Sequence, residues 1–155
     1  MITADELVEG IAQGREIDLK HRKIAADTCR QALLRFLEGD QCGVRLHLKN
    51  AVVNDRLDLS DLSVTIALVI ESSKLSDIDF SNASFQRVAV IDCRFESLKA
   101  TNIQVANELD LSKSTALGEV DLEGARVGGN LTLTRASFLH GLRVAQMPQI
   151  VLFAL

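Results

Sequence analysis

A right-handed parallel β-helix of about five coils behind a short α-helical cap is the fold this sequence predicts, mainly β in class. Three observations predict it. From Leu48 to Val144 an apolar residue recurs every five or six positions, beginning Leu48, Val53, Leu59, Val64, Ile70, Leu75, Phe80, Phe85. Two places before each lies a companion set that alternates between larger residues (Leu46, Leu57, Leu68, Ile78, Val88) and mostly smaller ones (Ala51, Ser73, Ala83, Cys93, Ser114). The fragments SNASF, EGARV and TRASF, with LDLSD and VDLEG, repeat in the same register. Neither a helix nor an ordinary strand has this period, and self-similarity at a fixed step is the signature of a solenoid.

The chain divides into three parts. Residues 1–43 read as a helical cap with one partial repeat unit, residues 44–149 as the β-helix, and residues 150–155 as an apolar tail. In the cap, Thr3 and Glu6 have the spacing of a capping box, followed by Leu7, Val8 and Ile11 at helical intervals and a stop near Gly14. A second helix is expected from about Ala25 to Glu38, with Cys29, Leu33, Phe36 and Leu37 on one face and Gly39 ending it. Between the helices, Ile17, Leu19 and Ile24 anticipate the repeat spacing.

Within the repeat, two inward apolar side chains flank one outward side chain, which describes a short extended segment followed by a corner. Four such segments close a square coil of about 21 residues, and coils stack at the strand spacing of roughly 4.8 Å. Ser, Thr, Asn and Ala suit the corners and the narrow interior. At these residues the chain resembles the pentapeptide-repeat family, in a divergent branch with larger interior residues, and the resemblance extends over about two-thirds of the sequence. It implies a quadrilateral right-handed β-helix. For function it implies a range of bacterial proteins, among them topoisomerase-binding DNA mimics, secreted effectors and long repeat proteins of which this chain would be the start.

Composition narrows the function classes. With 155 residues, 47% apolar and 25% charged, the chain has the makings of one globular unit. A net charge of −4 argues against direct nucleic-acid binding or attraction to an anionic membrane. Six Phe with no Trp and no Tyr leave it without the usual anchors for bases or sugars. Cys29, Cys42 and Cys93 form no CxxC pair, which with an acidic N-terminus and no long apolar run points to a reducing, cytoplasmic setting without a membrane span.

No residues converge on a mechanism. His21, His47 and His140 lie far apart with no named partner and read as solvated or corner residues, so no catalytic residue, metal or cofactor is expected. Gly128 and Gly129, in GARVGGNLTL, lack the lysine and helix start of a phosphate loop and read as a corner. Cys93 reads as a small inward hydrophobe.

The outward residues are the candidates for binding. Asp58, Asp77, Asp79, Glu119, Asp121 and Glu123 fall on one series and suggest an acidic face, interrupted by Arg56, Lys99 and Arg143. Ala67, Val69, Ala89 and Ile91 suggest an exposed apolar interface. Ile150, Val151, Leu152 and Phe153, within six consecutive apolar residues, suggest a second one, through which a homodimer would join its C-terminal coils. The leading expectation is a non-enzymatic scaffold with a protein partner. The alternatives are a DNA-mimicking regulator that binds gyrase and a segment of a longer repeat protein without activity of its own.

Overall fold

The structure is a computed structural model and describes residues 2–39 and 44–144. Helix α1 (Ala4–Gln13) starts where the capping signal stands. Thr3 is extended and its hydroxyl accepts the Glu6 N–H at 3.3 Å, while Gly14 ends the helix at φ 63° and donates back to the carbonyls of Gly10 and Ile11. Helix α2 (Ala26–Glu38) has no side-chain cap of its own, because Ala25 holds that position. Asp55, from the loop after the first coil's opening strand, supplies one instead by accepting the Ala26 N–H at 3.2 Å. Cys29, Ala32, Leu33 and Phe36 are buried, whereas Leu37, expected on the same face, is 44% exposed. Ala32 completes the i, i+3, i+4, i+7 stripe with Cys29, and Leu37 falls beyond its rim.

Between the helices, strand β1 (Glu16–Asp18) already belongs to the solenoid. It pairs with β2 (Arg45–Lys49) in parallel, Ile17 opposite Leu48, so the partial repeat unit expected in the cap is the first strand of the main sheet. That sheet has six strands: β1, β2, Ala67–Glu71, Arg87–Ile91, Leu109–Asp110 and Leu131–Thr132. A five-stranded sheet runs from Leu57–Asp58 to Leu142–Arg143, and two three-stranded sheets complete the outline. Every pairing is parallel, and the partners Leu46, Leu68, Val88, Leu109 and Leu131 follow one another at intervals of 20 to 22 residues. The described residues form a parallel β-solenoid of about four turns, near the expected five coils, which extended the β-helix to residue 149.

Stacking obeys the repeat. Leu59, Phe80, Ala100 and Leu122 are buried one above another with half-buried Val144 below them, each following a paired position of the five-stranded sheet. Phe85, Val105 and Val127 share a register, with Val64 beside them through the Ser63–Ser84 bridge. The Phe80 and Phe85 rings meet edge to face at 5.8 Å between centroids, and Ala100 and Val105 in the next coil leave room for them. At the small companion positions the polar residues close gaps in the ladder. Ser73 Oγ accepts the Ala51 N–H and donates to the Glu71 carbonyl, and Ser114 Oγ accepts the Cys93 N–H and donates to the Val90 carbonyl.

Corners form two columns of left-handed residues, Asn50–Ser72–Asp92–Lys113–Arg135 and Asp61–Asn82–Asn102–Gly124, with φ between 52° and 71°. Asn, Asp and Gly tolerate this region best, and they hold most of these places. Each of Asp58, Asp79, Asp110 and Asp121 accepts the N–H two residues on, in an Asx turn that ends at the left-handed residue three places after it.

Since Phe85 is buried against Phe80, Phe85→Asp places an unpaired carboxylate in the core. That costs several kcal/mol, on the order of a whole domain's stability. The expected outcome is loss of the cooperative thermal transition by circular dichroism, while Phe85→Leu keeps one at a lower midpoint. A wild-type melt for Phe85→Asp contradicts the packing.

Candidate functional site

The outer faces come first. Pairing aligns Asp58, Asp79, Lys99, Asp121 and Arg143 in one column of the five-stranded sheet. Its carboxylates are engaged. Asp79 is buried, bonded to the Ser81 N–H and paired with Arg56; Asp58 accepts both the N–H and the hydroxyl of Ser60 and lies 3.6 Å from Arg30; Asp121 holds the Glu123 N–H. Beside the column, Asp77 accepts the Ser97 hydroxyl at 2.6 Å, Glu119 lies 3.5 Å from Arg143, and Glu123 is exposed. Asp58, Asp79 and Asp121 of this column thus serve as turn-formers, while Asp58, Asp77, Glu119 and Glu123 remain exposed. Burial works to raise the Asp79 pKa, but hydrogen bonds from Ser81 and the Arg56 guanidinium outweigh it and hold the carboxyl below its ordinary range. The hydroxyl and N–H of Ser60 lower Asp58, with a smaller contribution from Arg30.

At the expected apolar patch little surface is exposed. Val69 is buried and Ala89 fully so, while Ala67 and Ile91 are half-buried. On the outside of the six-stranded sheet these short side chains stand between long ones. Ala89 lies between Val69 and Asp110 in register and between Arg87 and Ile91 along its strand. Arg87 reaches Glu108 at 3.6 Å, and Glu108 accepts the Thr132 hydroxyl at 2.9 Å. Columns only one strand spacing apart let such chains cover the small residues beside them. Ile150, Val151, Leu152 and Phe153 lie outside the described residues.

The N-terminal end is asymmetric. Over the five-stranded sheet the edge strand Leu57–Asp58 is covered by α2, whose Arg30 donates to the carbonyls of Asp58 and Ser60. Helix α1 is latched to β2 by the Val44 N–H on Ile11 O and by Arg45 Nε on Gly14 O, and to α2 by Arg35 on Asp5 at 2.6 Å. The edge of β1 is left open along a groove of about 810 Å³. Ile2, Glu6 and Glu9 of the α1 side form one wall, and the five consecutive residues 15–19 form the other.

The second feature is a histidine that sequence reasoning misplaced. His21, exposed at φ 65°, is a corner residue and His140 is exposed, both as expected. His47 is not solvated: it is 8% exposed, with Nε2 2.7 Å from Glu71 Oε1 and a buried Nδ1 that has no hydrogen-bond partner. Glu16 stands opposite it on β1, and one ligand atom from each of Glu16, His47 and Glu71 lies within 4.8 Å of the others. Lys49 Nζ is 3.7 Å from Glu16. These residues are 31 and 24 apart in sequence, a spacing meaningful only once the coil register is known.

The remaining candidates are structural. Cys29 and Cys93 are buried free thiols, each pushed up to about 12 chiefly by burial, which leaves them protonated and unreactive. Gly128 and Gly129 lie over the coil before them, where a Cβ would run into the carbonyl oxygens of Ala106 and Asn107; they form a corner and no phosphate loop. No described helix is long and apolar enough to cross a membrane.

Fold and site thus define a parallel β-solenoid whose first coil is partly capped by two helices. No protein-family model matches the chain, and neither a curated protein nor a solved structure does.

Asp79 carries a pH dependence whose sign is fixed. A carboxyl with a depressed folded pKa stabilises fully above the unfolded value of about 3.9, and that contribution disappears as pH falls through the folded pKa. The expected result is a stability that declines below about pH 4 in the native protein and less steeply in Asp79→Asn. At neutral pH, Asp79→Ala should cost about 1–3 kcal/mol, because it strands the Ser81 N–H, and Asp79→Asn less, because its carbonyl still accepts that bond. Urea melts at several pH values check both.

Proposed function

We propose that the chain is a non-enzymatic protein-interaction module of the pentapeptide-repeat kind, working in the bacterial cytoplasm. The observation that carries this reading is the open β1 edge beside α1. In a parallel ladder the backbone groups of successive residues alternate between neighbours. Leu19 donates to Lys49 O on the β2 side, so Ile17 shares that direction while Glu16 and Asp18 turn their N–H and C=O toward the groove. An extended segment of a partner can add there as one more parallel strand, its affinity supplied by main-chain bonds and its specificity by the mixed charges of Glu6, Glu9, Arg15, Arg22 and Lys23. The adjoining rod is a rigid support, which lowers the ordering cost of binding. The gyrase-binding alternative draws less support, since Lys99 and Arg143 interrupt the column and Asp79 is buried and paired with Arg56.

Photo-crosslinking side chains placed at Glu9 and Lys23, facing the groove, and at Gln104, on another sheet, test this in cells. A discrete adduct from the first two positions and none from Gln104 is expected. Identical adducts at all three positions, or none at any, would overturn the reading.

A further inference from the structure

Glu16, His47 and Glu71 come from three successive strands of one sheet, and we propose that they form a binding site for a single divalent transition-metal ion, Zn²⁺ in the first instance. Glu16 and His47 are register partners on β1 and β2, and Glu71 lies opposite Lys49 on the strand Ala67–Glu71. All three side chains stand on the outside of the sheet, because Leu46 and Leu48, which flank His47, are inward and buried.

The imidazole is the informative member. It is 8% exposed and turns Nε2 to the carboxylates, while its Nδ1 lies buried without a hydrogen-bond partner. Packing holds the ring, and Nε2 is presented to Glu71 at 2.7 Å, the place a metal would take from the shared proton. Around it, two carboxylates converge with the Lys49 ammonium as the neighbouring cation, 3.7 Å from Glu16. A divalent ion supplies the charge that this set lacks and frees Lys49 to solvent.

Distances and donors select the ion. Zinc takes imidazole nitrogen and carboxylate oxygen at about 2.0–2.2 Å. Ligand atoms about 2.0–2.2 Å from one tetrahedral ion stand roughly 3.3–3.5 Å apart, so the His47–Glu71 pair opens from 2.7 Å while donors up to 4.8 Å apart close, movements open to the half-exposed glutamates by rotation. One nitrogen and two oxygens suit zinc and its first-row neighbours, whereas calcium and magnesium favour oxygen alone. Three protein ligands leave one position for water. The ion would tie together the first three strands of the six-stranded sheet beside the groove; its existence does not depend on the interaction reading.

Titration of the chelator-treated full chain with Zn²⁺ by calorimetry, and with Co²⁺ by visible absorption, tests the site. One ion per chain and a raised thermal midpoint are expected. Glu16→Gln and Glu71→Gln should each weaken binding at least about tenfold, the loss that even an outer-shell partner commonly causes. His140→Gln, at an exposed position on the last partial turn, should leave it unchanged. His47→Gln should abolish binding, and if it fails to fold the two glutamine variants, at partly exposed positions, still decide the matter. Absence of saturable uptake, or equal affinity in native protein and both glutamine variants, would sink the proposal.

Discussion

The parallel register between successive coils is the constraint on which the rest of this structure depends. Backbone donors and acceptors of one coil are satisfied by the next, as in Leu59 on Asp79 O, Phe80 on Lys99 O and Ala100 on Asp121 O, at 2.7 to 2.8 Å. With strands of only two residues on most sides, no single strand has the length to hold its place alone. The corners therefore must recur at the same height in every coil. Asx turns at Asp58, Asp79 and Asp121 and left-handed residues three places later do this locally, and buried Ser73 and Ser114 serve backbone groups at the narrow positions.

Register also decides what the surface can do. Outward residues are aligned in columns whether or not their chemistry agrees, so Asp58 lies over Asp79 and Glu16 beside His47. Some of these meetings are resolved by pairing, as Arg56 does for Asp79 and Arg143 for Glu119. The cluster at His47 gathers two carboxylates and an imidazole near Lys49, and it stands beside β1, an edge strand of the six-stranded sheet.

Much of the fold was legible because a solenoid writes its period directly into the chain. The five- to six-residue recurrence, the inner stack from Leu59 to Val144, the Thr3 cap and the Gly14 stop all follow from local pattern. What failed depended on neighbours one coil away. Val69 and Ala89 looked exposed because alternation places them outward, yet long side chains in adjacent columns cover them. His47 and its two glutamates gave no local signal, since their meeting is set by coil lengths of 20 to 22 residues rather than by a motif.

The near-constant interval between paired strands has a kinetic meaning as well. Pairing partners in the stack are separated by about one turn of chain, so the loop that must close before a new coil docks is short and the same each time. The entropy of closure does not grow as the rod lengthens. Any formed coil is therefore a template for its neighbour, and docking can spread along the rod from wherever it begins.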